Sequence, residues 1–251
     1  MEINMKKKNL CLIPARGGSK GIPFKNIQKV SNKPLIEYSI NAAKESKLIN
    51  RIIVSTDSKQ IASFAKKLGV EVPFIRPKKI SNDSATQYDV VQHATKFLLD
   101  QESYVPDIIT ILQPTTPIRT GKIIDKSINL LKKTKSTSVL SVSNVKDHPD
   151  IIFYQKNKFL KPVNKNFERH STRQSRTELY APTGSIYTFW NETLKKHNSI
   201  YGPRIKALKI KEQEFNIDID TIYDLFVSEM TILHWGKFKA KFHLKNSLSK
   251  K

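Results

Sequence analysis

With 251 residues, 38% of them hydrophobic and 26% charged, the chain holds enough apolar material for one large α/β core and too much for a disordered polymer. No apolar run approaches the roughly 20 residues a membrane helix needs, and the short apolar stretch behind Lys6, Lys7 and Lys8 is too brief for a signal peptide, so a cytoplasmic protein is expected. The single cysteine, Cys11, excludes an internal disulfide, and the formal charge of +22 raises the question of a polyanionic partner.

In chain order, apolar segments alternate with helix-period segments, the mark of βαβ units around a mostly parallel sheet. Residues 10–13 read as the first strand, with Cys11 buried and inert inside it. A glycine-containing loop covers residues 15–26, and Pro34 then opens a helix carrying Leu35, Ile36, Ile40, Ala42 and Ala43. Residues 52–55 form the second strand, residues 58–68 a helix stopped by Gly69, and residues 70–75 a third short strand. A helix at 90–99, a buried strand at 108–112 and a stiff turn, Gln113-Pro114-Thr115-Thr116-Pro117, come next. A helix at 123–131 and a strand at 139–142 complete the regular part.

Between about residues 144 and 180 the pattern turns polar, aromatic and basic, an excursion from the core. Regularity returns at 184–190 and 205–210, and residues 222–233 have the spacing of a packed helix. One domain, residues 1–235, is expected, followed by a basic tail at 236–251. The tail alternates Phe238, Ala240, Phe242 and Leu244 with lysines, which would suit an added strand, but a mobile segment is the expectation. The remaining lysines are spread over nearly every predicted helix, which argues for a solvated surface and against a nucleic-acid groove. A triphosphate would benefit from the same positive field.

The most informative stretch is Pro14-Ala15-Arg16-Gly17-Gly18-Ser19-Lys20-Gly21-Ile22-Pro23-Phe24-Lys25-Asn26, directly after the first strand, where open α/β sheets bind ligands. Its glycines allow close backbone approach, and Arg16, Lys20 and Lys25 can neutralise phosphate oxygens. The spacing is neither that of a Walker loop nor that of the dinucleotide fingerprint, and a flexible basic loop is the plainer alternative. Far along the chain, Asp218 and Asp220 lie two apart; in extended backbone they share a face, which suits Mg²⁺ held together with substrate phosphates. The competing reading makes Asp220 a cap for the final helix.

Together with Ile53-Val54-Ser55-Thr56-Asp57, Arg76-Pro77 followed by Asp83 and Ala85, and Leu112 through Arg119, these motifs resemble the acylneuraminate cytidylyltransferase family over residues 8 to about 233. The resemblance implies a Rossmann-like α/β fold, a mostly parallel sheet flanked by helices with a small dimerisation excursion. It also implies a nucleotidyltransferase that joins CMP from CTP to a nonulosonic, sialic-acid-like sugar, with Mg²⁺ or another divalent cation and a homodimeric assembly. Arg16, Lys25 and Asp218 would then be catalytic. Ala15, Ser19, Lys20, Asn26, Arg76, Ala85 and Gln87 would join Arg16 and Lys25 around the nucleotide, Asp218 and Asp220 would hold the metal, and Gln113, Arg173 and Tyr187 would face the sugar.

Where the family carries an Arg-Pro-Asn-Gly stretch, this chain has Ala181-Pro182-Thr183-Gly184, so legionaminic or pseudaminic acid is as suitable a substrate as N-acetylneuraminic acid. The rival readings are CMP activation of 3-deoxy-manno-octulosonate, whose enzymes favour a different loop, and a basic nucleic-acid-binding protein without turnover. An inactive interaction module is a third, against which Arg16, Lys25, Asp218 and Asp220 together argue.

Overall fold

A computed structural model describes residues 7–164, 176–210 and 212–248. In chain order the elements are β1 (Asn9–Pro14), β2 (Lys29–Val30), β3 (Lys33–Pro34), α1 (Leu35–Glu45), β4 (Arg51–Ser55), α2 (Lys59–Lys67), α3 (Gln87–Glu102) and β5 (Ile108–Ile111). They continue with α4 (Gly121–Lys133), β6 (Ser138–Asn144), β7 (Phe153–Lys156), β8 (Phe159–Pro162), β9 (Tyr180–Trp190), α5 (Asn191–His197), β10 (Ile205–Lys209) and α6 (Ile222–Leu248).

Six strands form the central sheet in the order β10-β6-β9-β5-β1-β4. The pairs β1–β4, β1–β5 and β6–β10 are parallel, whereas β9 runs antiparallel to both its neighbours. Strands covered on both faces need no polar side, and β1 and β5 are accordingly apolar along nearly their whole length. Alternation along β1 divides its side chains between two cores. Cys11 and Ile13 pack with Ile36 and Ile40 of α1, Ile61 of α2 and Ile124 of α4, while Leu10 and Leu12 meet Val91, Ala94 and Leu98 of α3 on the other face. Each fully buried Leu or Ile among them contributes ~1.5–3 kcal/mol.

Local chemistry sets the ends of the helices. Ser58 caps α2 by accepting from the Ile61 N–H, and Gly69 follows that helix at φ +68°. Thr86 and Asp89 form a reciprocal capping box on α3. Residues 70–75, expected as a strand, touch the sheet edge only through isolated bridges from Glu71 to Ile53 and from Ile75 to Thr56. Pro73 stands between them with no N–H to donate, which interrupts the ladder.

Between β6 and β9 the chain leaves the sheet, and β7 and β8 form a separate antiparallel hairpin. The chain after Gly236, expected as a mobile tail, instead continues α6 to Leu248. Gly236 costs a helix only ~1 kcal/mol. The Trp235 and Phe238 rings stack at 5.8 Å, and Lys239 pairs with Glu214 at 2.8 Å, which anchors this part of the helix. Among the described residues no helix is long and apolar enough to cross a membrane.

Candidate active site

The loop after β1 emerges at the carboxyl end of the parallel strands, and three hydrogen bonds shape it. The Ala15 N–H donates to the Ser55 carbonyl at 2.9 Å, prolonging the β1–β4 pairing. The Gly17 N–H donates to Asp57 Oδ1 at 2.8 Å, and Asn26 Nδ2 donates to the Arg16 carbonyl at 2.8 Å. Further on, the loop crosses the segment that carries the two aspartates. A Cβ on Gly21 would stand 2.4 Å from the Asp220 carbonyl oxygen, so only glycine permits the crossing.

That segment is placed by Ile219, which is fully buried in a cluster with Ile22, Val30 and Leu35. Its N–H donates to the Thr115 carbonyl at 2.8 Å. With Ile219 inward, Asp218 and Asp220 fall on the open side, the shared face expected for extended backbone. Asp220 does not cap the last helix. Thr221 does so, donating its own N–H to Asp224 Oδ2 and accepting from the Asp224 N–H, which leaves Asp220 to the cleft. Lys25 Nζ donates to the Ile219 carbonyl at 2.7 Å and to Asp220 Oδ1 at 2.9 Å.

These walls enclose a cleft of about 330 Å³. Arg16, Ser19, Lys25 and Asn26 line it from the first loop, Arg76, Ala85 and Gln87 from the segment before and into α3, Gln113 from the turn after β5, and Asp218 and Asp220 from the segment before α6. Three residues expected at the site stand apart from its lining. Ala15 is fully buried beneath the loop, and Lys20, largely exposed, pairs with Asp83 at the rim of the cleft. Tyr187 sits on β9 at 8% exposure, held out of the cleft by core packing, with its hydroxyl beside the Gln87 amide. Burial pushes that phenol up to about 12, so it stays a neutral hydrogen-bonding group. Arg173 lies outside the described residues.

Two acidic residues organise the cations. Asp83 pairs through one oxygen with Arg16 Nη1 and through the other with Lys20 Nζ, both at 2.7 Å, and these contacts hold its carboxyl below the usual range. Asp57, besides holding Gly17, lies near the buried Arg76, whose guanidinium donates to Ser81 Oγ at 3.0 Å. The sequence names Asp57 and Asp83 as landmarks, but Gly17 and Arg16, the groups they hold in the first loop, lie 40 residues or more away in the chain and carry no local signal.

On the opposite side, the Gln113 turn meets β9. Gly184 adopts φ +74°, and a Cβ there would lie 3.1 Å from Gln113 Oε1 and 3.3 Å from Asp218 Oδ2. Thr183, next to it, is buried and shares a 2.8 Å hydrogen bond with Ser141 Oγ. Asp218 opens on the cleft, yet the surrounding walls displace enough bulk water to push its carboxyl up, and the charge of Asp220 adds to the effect. A hydrogen bond from Thr115 and the charges of Lys25 and Arg119 pull the other way. Cys11 is fully buried, its thiol pushed up to about 12, and is no nucleophile.

The donor set suits a divalent cation. Asp218 and Asp220 offer hard oxygens on one face, and no group of three or more His, Cys, Asp or Glu residues able to enclose a metal occurs among the described residues. Two carboxylates completed by substrate phosphates are the usual way Mg²⁺ is held.

A three-layer α/β fold with a basic loop at the strand ends, facing two carboxylates across a cleft, is the arrangement of a nucleotidyltransferase. The chain belongs to the cytidylyltransferase family, whose model matches residues 10–239. A pseudaminic acid cytidylyltransferase of Campylobacter jejuni is 31% identical over 220 residues, covering 87% of this chain and 93% of that one. A CMP-N,N'-diacetyllegionaminic acid synthase of Legionella pneumophila is 34% identical over 225 residues, covering 88% of this chain and 94% of its own. Among solved structures, a CMP:2-keto-3-deoxy-manno-octonic acid synthetase complexed with CTP matches with a TM-score of 0.66 over 90% of this chain and 98% of that one; at 14% identity the likeness is one of fold.

Proposed function

We propose that this cytidylyltransferase transfers CMP from CTP to the anomeric hydroxyl of a nonulosonic acid, releasing pyrophosphate. The observation that carries the reading is the junction of Lys25 with Ile219 and Asp220, which joins the cationic loop to the carboxylate pair across one cleft. The hydroxyl oxygen forms a bond to the α-phosphorus while the bond to the bridging oxygen of pyrophosphate breaks, and the hydroxyl proton is released to solvent. Such a transfer needs positioning and charge neutralisation more than covalent help.

Arg16 and Lys25 neutralise phosphate oxygens, with Ser19, Lys20 and Asn26 supporting the loop. Arg76, Ala85 and Gln87 face the ribose and cytosine, and Ala15 carries β1 into the loop. Asp218 and Asp220 hold a divalent cation, which when bound supplies positive charge on the triphosphate. Gln113 hydrogen-bonds the sugar and Arg173 pairs with its carboxylate, while Tyr187, expected at the sugar, is buried beside Gln87 and acts by supporting that residue on the nucleotide side.

Relatives are named for pseudaminic, legionaminic and N-acylneuraminic acids, and pseudaminic and legionaminic acids are favoured because those relatives match over nearly their whole length whereas the N-acylneuraminate enzymes match over 51% of theirs. Thr183 satisfies its hydroxyl on Ser141, so it contributes shape to the acceptor side in place of a free polar group. Comparing kcat/KM for pseudaminic, N,N'-diacetyllegionaminic and N-acetylneuraminic acids decides among them; the expected outcome is a preference for one of the first two. A clear preference for N-acetylneuraminic acid or for an eight-carbon acid would overturn that choice.

The reading includes a cytoplasmic location and a homodimer. Phe159 and Leu160 on the β7–β8 hairpin are 72% and 67% exposed, an apolar surface that a second copy would cover. Sedimentation of a Phe159→Ser/Leu160→Ser variant is expected to show dissociation, and a wild-type monomer would contradict the assembly.

A further inference from the structure

Arg119 is 7% exposed, does not line the cleft, and has no carboxylate as a salt-bridge partner among the described residues. Its charge is compensated by carbonyl and hydroxyl oxygens from two separate pieces of chain. Nε donates to the Thr116 carbonyl at 3.0 Å, and Nη1 donates to the Ser185 carbonyl on β9 at 2.9 Å. Nη2 donates to Thr116 Oγ1 at 2.6 Å and to the carbonyls of Gln113 and Thr116. Keeping a cation here is costly, and burial pushes its pKa down to about 9.

The geometry shows what this charge secures. The turn at residues 113–117 contains Pro114 and Pro117, which cannot donate N–H groups, and its Gln113 carbonyl gathers donors from Thr116 and Ser39 Oγ as well as from Arg119. A guanidinium presents five N–H groups in a fixed plane, and Arg119 uses all three of its nitrogens to fasten Gln113 and Thr116 to Ser185. Ser185 follows Gly184, where Gln113 Oε1 and Asp218 Oδ2 converge within 3.1 and 3.3 Å of the vacant Cβ position. A lysine ammonium has one nitrogen and cannot span both pieces of chain in the same way.

We propose that Arg119 is a positioning residue for the acceptor, fixing the Gln113 side chain against Gly184 and Asp218 without touching either substrate. The proposal rests on the reading that Gln113 faces the sugar. It assigns Arg119 to sugar capture and not to nucleotide binding.

The test compares Arg119→Lys, Gln113→Ala and the double variant in CTP-dependent pyrophosphate release with pseudaminic or N,N'-diacetyllegionaminic acid, whichever turns over. Arg119→Lys is expected to raise the KM for the sugar about tenfold or more while the KM for CTP stays within about twofold. In the Gln113→Ala background the same substitution is expected to add less than about twofold, because the group it positions is gone. Equal loss toward both substrates, or a fully additive double variant, would overturn the proposal. If Gln113→Ala itself leaves the sugar KM unchanged, it is the assignment of Gln113 that fails. Should Arg119→Lys not fold, Thr116→Val removes one acceptor of the guanidinium together with the Thr116 hydroxyl's own bond to the Gln113 carbonyl, and a smaller selective rise in sugar KM is expected; no selective rise there would likewise overturn the proposal.

Discussion

Lys25 and Asp220 lie 195 residues apart in sequence and 2.9 Å apart in the fold. The same ammonium reaches the Ile219 carbonyl, so one side chain joins the phosphate-facing loop to the carboxylate segment. Replacing Lys25 with Met keeps most of the stem in its largely buried channel and removes the charge. A fall in kcat/KM of roughly 10²–10³ is expected, the range for losing one preorganised electrostatic contact. Steady-state pyrophosphate release measures it. A loss smaller than tenfold would show that the junction is incidental to catalysis.

Gly21→Ala tests the crossing from the other direction. Its new Cβ would collide with the Asp220 backbone oxygen, and neither partner is a flexible side-chain end. The loop must shift away from Asp220, and a displacement of this size costs about 10²-fold in turnover. Circular dichroism is expected to be unchanged, since Gly21 is exposed and outside both large cores. An active Gly21→Ala enzyme would mean that the two segments move independently.

Asp218 carries a pH signature. Its carboxyl is raised by the partly dehydrated cleft, so in the metal-free fold the group contributes stability that is present below the ordinary aspartate range and is lost as pH rises through the raised value. A divalent cation needs the ionised form. Apparent Mg²⁺ affinity in the presence of CTP is therefore expected to climb with pH through that raised value and to level off above it. Asp218→Asn is expected to abolish most turnover, to lose this pH dependence and to melt no lower than the wild type without metal. An Asn variant that melts well below the wild type would mean that the carboxylate supports the fold and not the site.

Asp83 pairs with both Arg16 and Lys20. Phosphate oxygens must compete with it for both cations. Asp83→Asn is expected to lower the KM for CTP by about two- to fivefold, the scale of exposed ion pairs, with the difference shrinking at high salt. An increase in KM would show that Asp83 instead holds Arg16 in its binding pose.

Much of the fold is legible in the sequence, because the parallel strands are continuous apolar runs and the helices repeat at 3.6 residues. The direction of β9 is not, since an alternating or apolar run carries no polarity. The helical course of the chain after Gly236 is hidden by alternating Phe and Lys, a strand-like pattern that tertiary anchors such as Lys239 to Glu214 override. At the site, the glycine loop and the paired aspartates are visible as local patterns. The reach of Arg119 to Ser185 and the pairings of Asp83 with Arg16 and of Asp57 with Gly17 are not, because those partners lie 40 or more residues away and only folding brings them together. Tyr187 shows the converse: a suitable residue type at the matching position, which packing against the core holds out of the cleft.

Joining CTP to an acidic sugar in this cleft is tested by pyrophosphate release with each of the four ribonucleoside triphosphates, Mg²⁺ and a panel of nonulosonic acids, with EDTA as control. Release is expected only when CTP, a divalent cation and a nonulosonic acid are all present, with the CMP-sugar formed in equal amount. Absence of release with every sugar, or equal release with ATP or GTP, would contradict it.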